Sequence, residues 1–429
     1  MTLLLPSALK RSRFLFEFSA QASLAAAEQA LTAVTGQAAT FSRASTKTAL
    51  DANGAVRIVP HSLPAFQWTL DPVSGLMTPG VLLEGARTNA TIYSEQLDNA
   101  AWVKTEATVT ANAATAPNGT LTADKLVESV TAAVEHYVDY PVIPAWTDST
   151  TQSASIYVKA AGRTFISMVS LNKAGVFVRT WFNLTTGAVG TKNHPAASMT
   201  ALTNGWYRCD IQIDAGVGAT VRRVVVEMNT ADNTLAYNGD GASGVYLWGA
   251  QHEVDKAFAS SYIPTTTIAV ARTADVLSWP FLALPQSGTL YVKGVWGSSG
   301  APAAYTIVLG DAAASNASLL LVSDTASTYG RVTTSANFDS TVGTLPALGN
   351  TVEQMVQLTV SGGNGTTTVH RSTNGGTALT GAASASFAMP AAWSAGTLRA
   401  TLAGSESFLS LQAVRFASSV QPLATMRSA

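Results

Sequence analysis

Residues 80–102 read GVLLEGARTNATIYSEQLDNAAW, and this stretch decides how the rest of the chain is interpreted. The apolar run Gly80–Glu84 predicts a short strand, which a glycine ends. The polar segment Arg87–Asn89, a second short apolar run and the polar loop Glu95–Asn99 follow, before Trp102, an aromatic of the type that is mostly buried. The stretch therefore predicts the passage from an N-terminal lead-in to the first of two β-sandwiches.

A near echo of this stretch occurs later in the chain, at Ala271–Asp275. The two Ala-Arg-Thr segments bracket about 185 residues, the size of one large sandwich domain. One interpretation is that Arg87 and Arg272 each clamp a terminal strand to its neighbour through hydrogen bonds to carboxylates or carbonyls. The alternative is that a three-residue echo arises by chance.

Composition indicates folded β-domains. The chain has 429 residues, enough for two or three domains with cores of their own. Hydrophobic residues make up 47% and charged residues 12%, about half the usual ~25%, which excludes the high-charge, low-hydrophobicity signature of disorder. The net charge of −1, without a long basic run, excludes a nucleic-acid partner.

Cysteine and histidine usage gives no sign of a metal or other cofactor. Cys209 is the single cysteine, which rules out an intramolecular disulfide and a four-cysteine zinc site. It alternates with apolar neighbours, as expected of a small buried hydrophobe. No apolar run approaches the ~20 residues that a membrane span needs, and the first residues lack the charge-first order of a secretory signal. We expect synthesis in a cytoplasm and no membrane insertion.

Residues 1–40 differ from the rest of the chain. Ser19–Ala33 is rich in strong helix formers, and Phe14, Phe16 and Phe18 precede it. The segment predicts either an anchor that docks on another protein or a helix packed on its own domain.

From residue 41 onward the pattern predicts all-β structure. Residues 41–83 form a β-rich lead-in with a hairpin at Thr48–Ile58, whose turn is Asp51–Gly54. Residues 84–278 and 279–429 then predict two antiparallel sandwiches, because short alternating runs are separated by turn residues. The strands predicted in them include 153–159, 164–171, 176–184, 206–213, 221–228, 244–251, 288–296, 305–309, 352–360 and 408–416.

Several segments resemble, in order, a family of virion proteins of tailed phages and prophages: head spikes, head fibres and tail-tip proteins. The segments are FSRASTKTALDANG (41–54), residues 80–102, SIYVKAAGRTF (155–165), NLTTGAVG (183–190), NGWYRCDI (204–211), YNGDGASGVYLWGAQHE (237–253), SYIPTTT (261–267) and ARTAD (271–275). GTLYVKGVW (288–296) and SLQAVRFASS (410–419) resemble the concanavalin A-like domain that often follows. The resemblance implies a carbohydrate-binding-module-like jelly roll over 84–278, a concanavalin A-like sandwich over 279–429, and contact with host glycans at a particle surface.

Catalytic signatures are missing from the sequence. Residues 276–429 lack the E-x-D-x-E strand of concanavalin A-like glucanases, and the strand acids Asp210 and Glu227 have no second acid two positions on, whereas Glu253 is followed there by Asp255. No G-x-S-x-G elbow occurs. The glycine-rich Asn238–Gly244 stretch predicts a turn, in which Asp240 could contribute to a calcium site; no metal site is assigned.

Sugar binding calls for aromatic rings beside planar polar groups, and two predicted strands supply them. Arg179, Trp181 and Asn183 alternate onto one face, after Phe177. Three further residues alternate on another strand: Trp206, Arg208 and Asp210. If these strands share a sheet, the six residues form one concave carbohydrate-binding platform; alternatively, both tryptophans belong to the core.

The function predicted from the sequence is a non-enzymatic virion surface protein, a head spike, head fibre or tail fibre that adheres to host polysaccharide. Residues 1–40 would join it to other virion proteins, and a homo-oligomer, trimer or pentamer, would raise weak glycan contacts by avidity. The alternatives are a purely structural capsid-decorating or tail-connecting protein and a polysaccharide depolymerase.

Overall fold

The computed structural model is almost entirely antiparallel β-structure, which confirms the all-β prediction. It describes residues 13–17, 40–70, 75, 77–141, 151–171, 176–214, 223–254, 256, 258–278, 287–296, 305–309, 318–323, 328–333, 337–342, 351–362, 364–388, 397–399 and 408–417. Within these ranges the one helical element is a 3-10 turn at Thr203–Gly205, and no helix is long and apolar enough to cross a membrane. The helix predicted at Ser19–Ala33 lies outside the described residues.

The described strands are numbered in chain order. The first sixteen are β1 Arg13–Glu17, β2 Thr40–Ser42, β3 Lys47–Leu50, β4 Val56–Val59, β5 Phe66–Leu70, β6 Met77–Glu84, β7 Arg87–Asn89, β8 Val103–Thr105, β9 Ala107–Ala114, β10 Ala123–Glu128, β11 His136–Tyr140, β12 Thr151–Ala161, β13 Phe165–Leu171, β14 Phe177–Asn183, β15 Ala188–Lys192 and β16 Ala197–Ala201. The others are β17 Trp206–Asp214, β18 Val224–Asn229, β19 Gly244–Glu253, β20 Val270–Arg272, β21 Val276–Ser278, β22 Gly288–Trp296, β23 Tyr305–Leu309, β24 Ser318–Ser323, β25 Thr328–Thr333, β26 Asn337–Val342, β27 Thr351–Ser361, β28 Asn364–Thr373, β29 Leu379–Thr380, β30 Phe387–Ala388, β31 Thr397–Arg399 and β32 Phe408–Ala417.

The chain divides into two compact units. The central unit comprises Thr46–Ile58 and Arg87–Arg272, and the flanking unit comprises the described residues of 1–45, 59–86 and 273–429. The chain therefore re-enters the central unit at Arg87 and leaves it at Arg272, the two arginines of the repeated Ala-Arg-Thr segments.

This division differs from the consecutive segments expected from the sequence. The expected lead-in, residues 41–83, is not one element, because β5 and β6 join the sheet that contains β32, where Glu84 pairs with Phe408. Inside the expected anchor, residues 1–40, Arg13–Glu17 is a strand that pairs with the other half of β32. Pairing between strands so distant in the chain leaves no local sequence pattern, so the sequence alone did not indicate it.

Among the described residues, the flanking unit holds two antiparallel sheets. One has the order β29-β28-β27-β22-β32-β6-β5, with β1 beside β32 and β30 beside β28. The other has the order β2-β21-β31-β23-β24-β25-β26.

Two six-stranded antiparallel sheets make up most of the described central unit. The front sheet has the order β16-β17-β12-β19-β10-β9, and the back sheet has the order β15-β14-β13-β18-β11-β8. One hydrophobic core receives side chains from both. Its members include Leu126, Ile156, Val158, Cys209, Ile211, Val245 and Leu247 of the front sheet and Val138, Ile166, Met168, Phe182, Val226 and Met228 of the back sheet.

The alternation predicted for β17 is confirmed. Cys209, Ile211 and Ile213 belong to the core and Tyr207 packs against it, because successive side chains of a strand point to opposite faces. Burial raises the pKa of the Cys209 thiol well above its ordinary value. Cys209 is thus a small buried hydrophobe, as the sequence indicated.

A second cluster lies on the other face of the front sheet. Tyr157, Trp206, Trp248 and Tyr262 pack with Val56 of the β3–β4 hairpin and neighbouring small residues. The hairpin itself occurs where the sequence predicted it, and its turn is closed by a hydrogen bond from the Gly54 N–H to the Asp51 carbonyl. Both faces of the front sheet are therefore partly covered.

The two ends of the long central segment are paired. Arg87 of β7 is the register partner of Arg272 of β20. Both arginines are buried, and both interact with the buried Glu253 carboxylate, whose Oε1 lies 4.0 Å from Arg87 Nε. Glu253 also accepts hydrogen bonds from the N–H and hydroxyl of Ser260. The Glu253 carboxylate thus interacts electrostatically with both arginines where the chain enters and leaves the central unit.

Acid is expected to destabilise the central unit through His194. Its ring nitrogens lie 2.9 Å from the hydroxyls of Ser170 and Thr180, and burial lowers the pKa of His194 to about 4. The unfolded chain, with a histidine pKa of about 6.5, takes up the proton first as the pH falls. This contribution to stability is complete above pH 6.5 and decreases by about 3 kcal/mol on the way to pH 4.

The measurement is urea denaturation of wild type and His194→Asn between pH 7 and pH 4. The variant should lose less stability than wild type over this range. His61→Asn replaces an exposed histidine and serves as the matched control, with a curve parallel to that of wild type. Parallel curves for His194→Asn would contradict the prediction.

Candidate functional site

A polar pocket lies in the central unit, beside the edge of the front sheet. It has a volume of about 350 Å³, at the small end of the range for small-molecule sites. We call it the Glu95 pocket. The residues that line it are Glu95, Gln96, Asp98, Asn99, Asn112, Thr122 and Asp124.

Asp124 fastens the two walls of the pocket together. Its carboxylate accepts hydrogen bonds from the Leu97 N–H at 2.7 Å and from the Asn112 N–H at 2.9 Å. The pairing of β9 with β10 is irregular at this point, between Ala123 and Lys125, and Asn112 has a positive φ of 53°. Irregularities of this kind re-aim side chains at sheet edges, and here Asn112 is brought into the pocket wall.

Glu95 is a lining residue whose carboxyl group is perturbed by its surroundings. Its Oε1 accepts a hydrogen bond of 3.0 Å from the Tyr262 hydroxyl, which is also 2.7 Å from Ser94 Oγ. Burial raises the pKa of Glu95, and the hydrogen bond from Tyr262 partly opposes this. A carboxyl group with a perturbed pKa in a pocket marks a candidate functional residue.

Buried aromatic side chains support this part of the pocket. The Trp248 indole N–H donates to Thr122 Oγ1 at 3.1 Å, and the ring centroids of Trp248 and Tyr262 are 4.8 Å apart. Both rings are about 1% exposed. Glu95 and Thr122 are therefore hydrogen-bonded to groups that are fixed by packing.

Lys104 shapes the loop that carries Glu95–Asn99. Its ammonium donates to the carbonyl oxygens of Asp98, Asn99 and Trp102 at 2.9, 2.7 and 2.9 Å. Burial lowers the pKa of Lys104, while the charges of Asp98 and Asp124 raise it. All three ammonium protons are directed at the backbone of the loop.

Other lining groups remain available to a ligand. The side chains of Gln96, Asp98 and Asn112 make no hydrogen bond with any residue in the described ranges. They supply both donors and acceptors, because an amide offers each and a carboxylate accepts. The pocket can therefore bind a small ligand with several hydroxyl groups.

The first predicted site strand, β14, belongs to the back sheet. Arg179 donates to Glu227 at 3.1 Å and to Glu135 at 3.3 Å. Trp181 is 3% exposed, and its indole N–H donates to the Thr234 carbonyl. Asn183 Oδ1 accepts two backbone N–H groups of the turn that follows, so its oxygen stabilises that turn.

The second predicted strand, β17, belongs to the front sheet. Trp206 is 1% exposed and donates to the Thr115 carbonyl at 3.1 Å. Arg208 donates to Ser155 Oγ at 2.8 Å and to the Ser260 carbonyl at 2.7 Å, and its Nε lies 3.3 Å from Asp210.

The structure therefore does not bring the six predicted residues together, which corrects the platform interpretation. The platform required β14 and β17 to share a sheet, and they lie in different sheets. The two tryptophans on which a sugar would stack are both buried. Alternation along a strand indicates which residues share a face, but not what covers that face.

The glycine-rich Asn238–Gly244 stretch is a turn, as predicted. Asp240 accepts hydrogen bonds from Ala242 N–H, Ser243 N–H and the Ser243 hydroxyl, and Asn238 Oδ1 accepts from Ala133 N–H. Their oxygens thus order the turn. Across the part of the chain that the structure describes, no three His, Cys, Asp or Glu residues are arranged to hold a metal ion.

The polar loop Glu95–Asn99 is evident in the sequence, but no function was predicted for it. The many carboxylate and amide side chains of this loop are the sequence feature that could have indicated a binding site. Asn112 and Asp124 could not be found in this way, because strand pairing brings them to the loop.

Compared with known proteins, the chain matches no protein-family model and no curated protein.

Proposed function

We propose that this chain is a non-enzymatic virion surface protein, of the head-spike or tail-fibre kind, that adheres to host cell-surface polysaccharide through the Glu95 pocket. The proposal includes a jelly-roll sandwich for the central unit, supported by two six-stranded sheets that share one core. It also includes a concanavalin A-like sandwich in residues 279–429. Attachment to other virion proteins through residues 1–40 and a trimeric or pentameric assembly belong to the same proposal.

The observation that carries the proposal is the lining of the pocket. Sugar hydroxyls donate and accept hydrogen bonds at once, and the pocket offers Glu95 and Asp98 as acceptors beside the amides of Gln96 and Asn112. The volume of about 350 Å³ is sufficient for a small polar ligand. A hydrogen bond from the packed Tyr262 hydroxyl holds Glu95 in place, which lowers the entropic cost of binding.

We expect Glu95→Gln to weaken adhesion of the full-length protein to host polysaccharide. A hydrogen bond to a charged group contributes about 1.5–3 kcal/mol, which corresponds to an increase of about 10- to 100-fold in Kd. The measurement is biolayer interferometry on immobilised polysaccharide extracted from host cells. Glu106→Gln makes the same chemical change at an exposed glutamate outside the pocket and should leave Kd unchanged.

The other outcomes separate the rival functions. If wild type binds no polysaccharide, the purely structural virion role replaces adhesion. If wild type and Glu95→Gln bind equally, the pocket is not the contact.

A second candidate function is polysaccharide hydrolysis. It is favoured by one observation: Glu95, whose pKa is raised by burial, lines the same pocket as Asp98. Glycosidases use a protonated carboxyl group as general acid and a second carboxylate as nucleophile or base. New reducing ends that form with wild type, but not with Glu95→Gln, would establish a depolymerase in place of an adhesin.

A further inference from the structure

The charged side chains that line the Glu95 pocket are all acidic. Of the described residues that line it, Glu95, Asp98 and Asp124 are acidic, and the other four carry amide or hydroxyl groups. None of these seven is Lys, Arg or His. Lys104 is close enough to interact with Asp98 and Asp124, but its three protons are donated to loop carbonyls.

An acidic sugar would place its own carboxylate among these groups. No described lining residue could pair with that negative charge, and like charges brought together at an interface oppose binding. An uncharged sugar instead presents hydroxyl groups, which can donate to the carboxylates and accept from the amides. The pocket thus combines attraction for hydroxyl groups with repulsion of acids, the two components of specificity.

We propose that the Glu95 pocket selects uncharged saccharide units and rejects units that carry a carboxylate, such as uronic and sialic acids. Glu95 and Asp98 determine this selectivity. The inference rests on the proposed function, since it names the class of sugar that the same site takes.

The roles of the three acids differ. Both oxygens of Asp124 already accept backbone N–H groups, so Asp124 adds charge while it holds the walls together. The Asp98 side chain makes no hydrogen bond within the described part of the chain. The Oε1 atom of Glu95 accepts a hydrogen bond from the Tyr262 hydroxyl. Glu95→Gln and Asp98→Asn therefore remove charge without removing the Asp124 clamp.

The test compares one polysaccharide before and after oxidation of its primary hydroxyls to carboxylates. Binding to the full-length protein is measured at pH 8 in low salt. We expect oxidation to raise the Kd of wild type by at least about tenfold, a change of ~1.4 kcal/mol. Two readouts separate repulsion from the loss of a hydroxyl contact. The oxidation penalty should shrink severalfold in Glu95→Gln/Asp98→Asn, and it should shrink in wild type when salt is raised, because salt screens charge.

Three outcomes would contradict the proposed selectivity. Equal binding of both forms by wild type overturns the selectivity. A penalty that is the same in the double variant and in Glu106→Gln shows that Glu95 and Asp98 do not cause it, and also overturns the inference. Absence of binding to the unoxidised polysaccharide refutes the proposed function itself, and the selectivity with it.

Discussion

Replacing Glu253 with alanine is expected to lower the free energy of unfolding of the central unit by about 3–5 kcal/mol. Glu253 has no solvent exposure, and Arg87 and Arg272 are also buried. Removing the carboxylate takes a shared negative charge away from two buried guanidinium groups, and burying a charge costs more when a compensating charge is lost. It also removes the acceptor for Ser260.

Urea denaturation of the full-length protein measures this effect. Glu253→Gln keeps the shape and an acceptor oxygen for Ser260 but removes the charge, so its loss of stability should be large and smaller than that of Glu253→Ala. Glu106→Ala, at an exposed glutamate, is the matched control: it removes hydrogen bonds from Ser129 and Thr131 but no buried charge, so it should lose much less stability than Glu253→Ala. A similarly small effect of Glu253→Ala would mean that the carboxylate does not hold the ends of the unit together.

The second large effect is expected for Trp206→Ala, at about 3–5 kcal/mol. Trp206 is 1% exposed, packs in the cluster with Trp248 and Tyr262, and donates its indole N–H to Thr115. Alanine at this position creates a cavity and deprives the Thr115 carbonyl of its donor. Trp206→Phe refills much of the cavity and should recover more than half of the loss.

Phe177→Ala is the matched control, because Phe177 is 44% exposed and should lose much less stability. The comparison decides how an adhesion defect in a tryptophan variant is interpreted. If Trp206→Ala destabilises the central unit as expected, reduced adhesion reflects unfolding rather than a lost sugar contact. If Trp206→Ala keeps full stability and loses adhesion, the loss reflects a contact between Trp206 and the sugar rather than unfolding.

Local features of the fold were predictable because local chemistry produces them. Strand β22 was predicted at Gly288–Trp296 and occurs at those residues. β17 has the predicted alternation of core and outward-facing side chains. The period of two along a strand and the turn chemistry around Asp51–Gly54 are properties of neighbouring residues, which a single sequence displays directly.

The candidate site was predictable only in part. The polar loop Glu95–Asn99 is visible in the sequence, but its partner Asp124 lies on a strand that reads as ordinary alternation. The irregular pairing that aims Asn112 at the pocket depends on how β9 and β10 are aligned. Conversely, alternation left both a surface and a core position open for Trp181 and Trp206, since it does not reveal which segments cover a sheet.

The sequence by itself determined that the chain folds into antiparallel strands, where a part of those strands lie, and which side chains share a face. It also displayed the two Ala-Arg-Thr segments, at Arg87 and Arg272. Only the tertiary structure decided that these two arginines pair beside Glu253, that β5 and β6 belong with β32, and that a pocket forms at Glu95. The physical reason is that side-chain alternation depends on neighbours in the chain, whereas pairing, burial and cavity formation depend on residues that are brought together from distant positions.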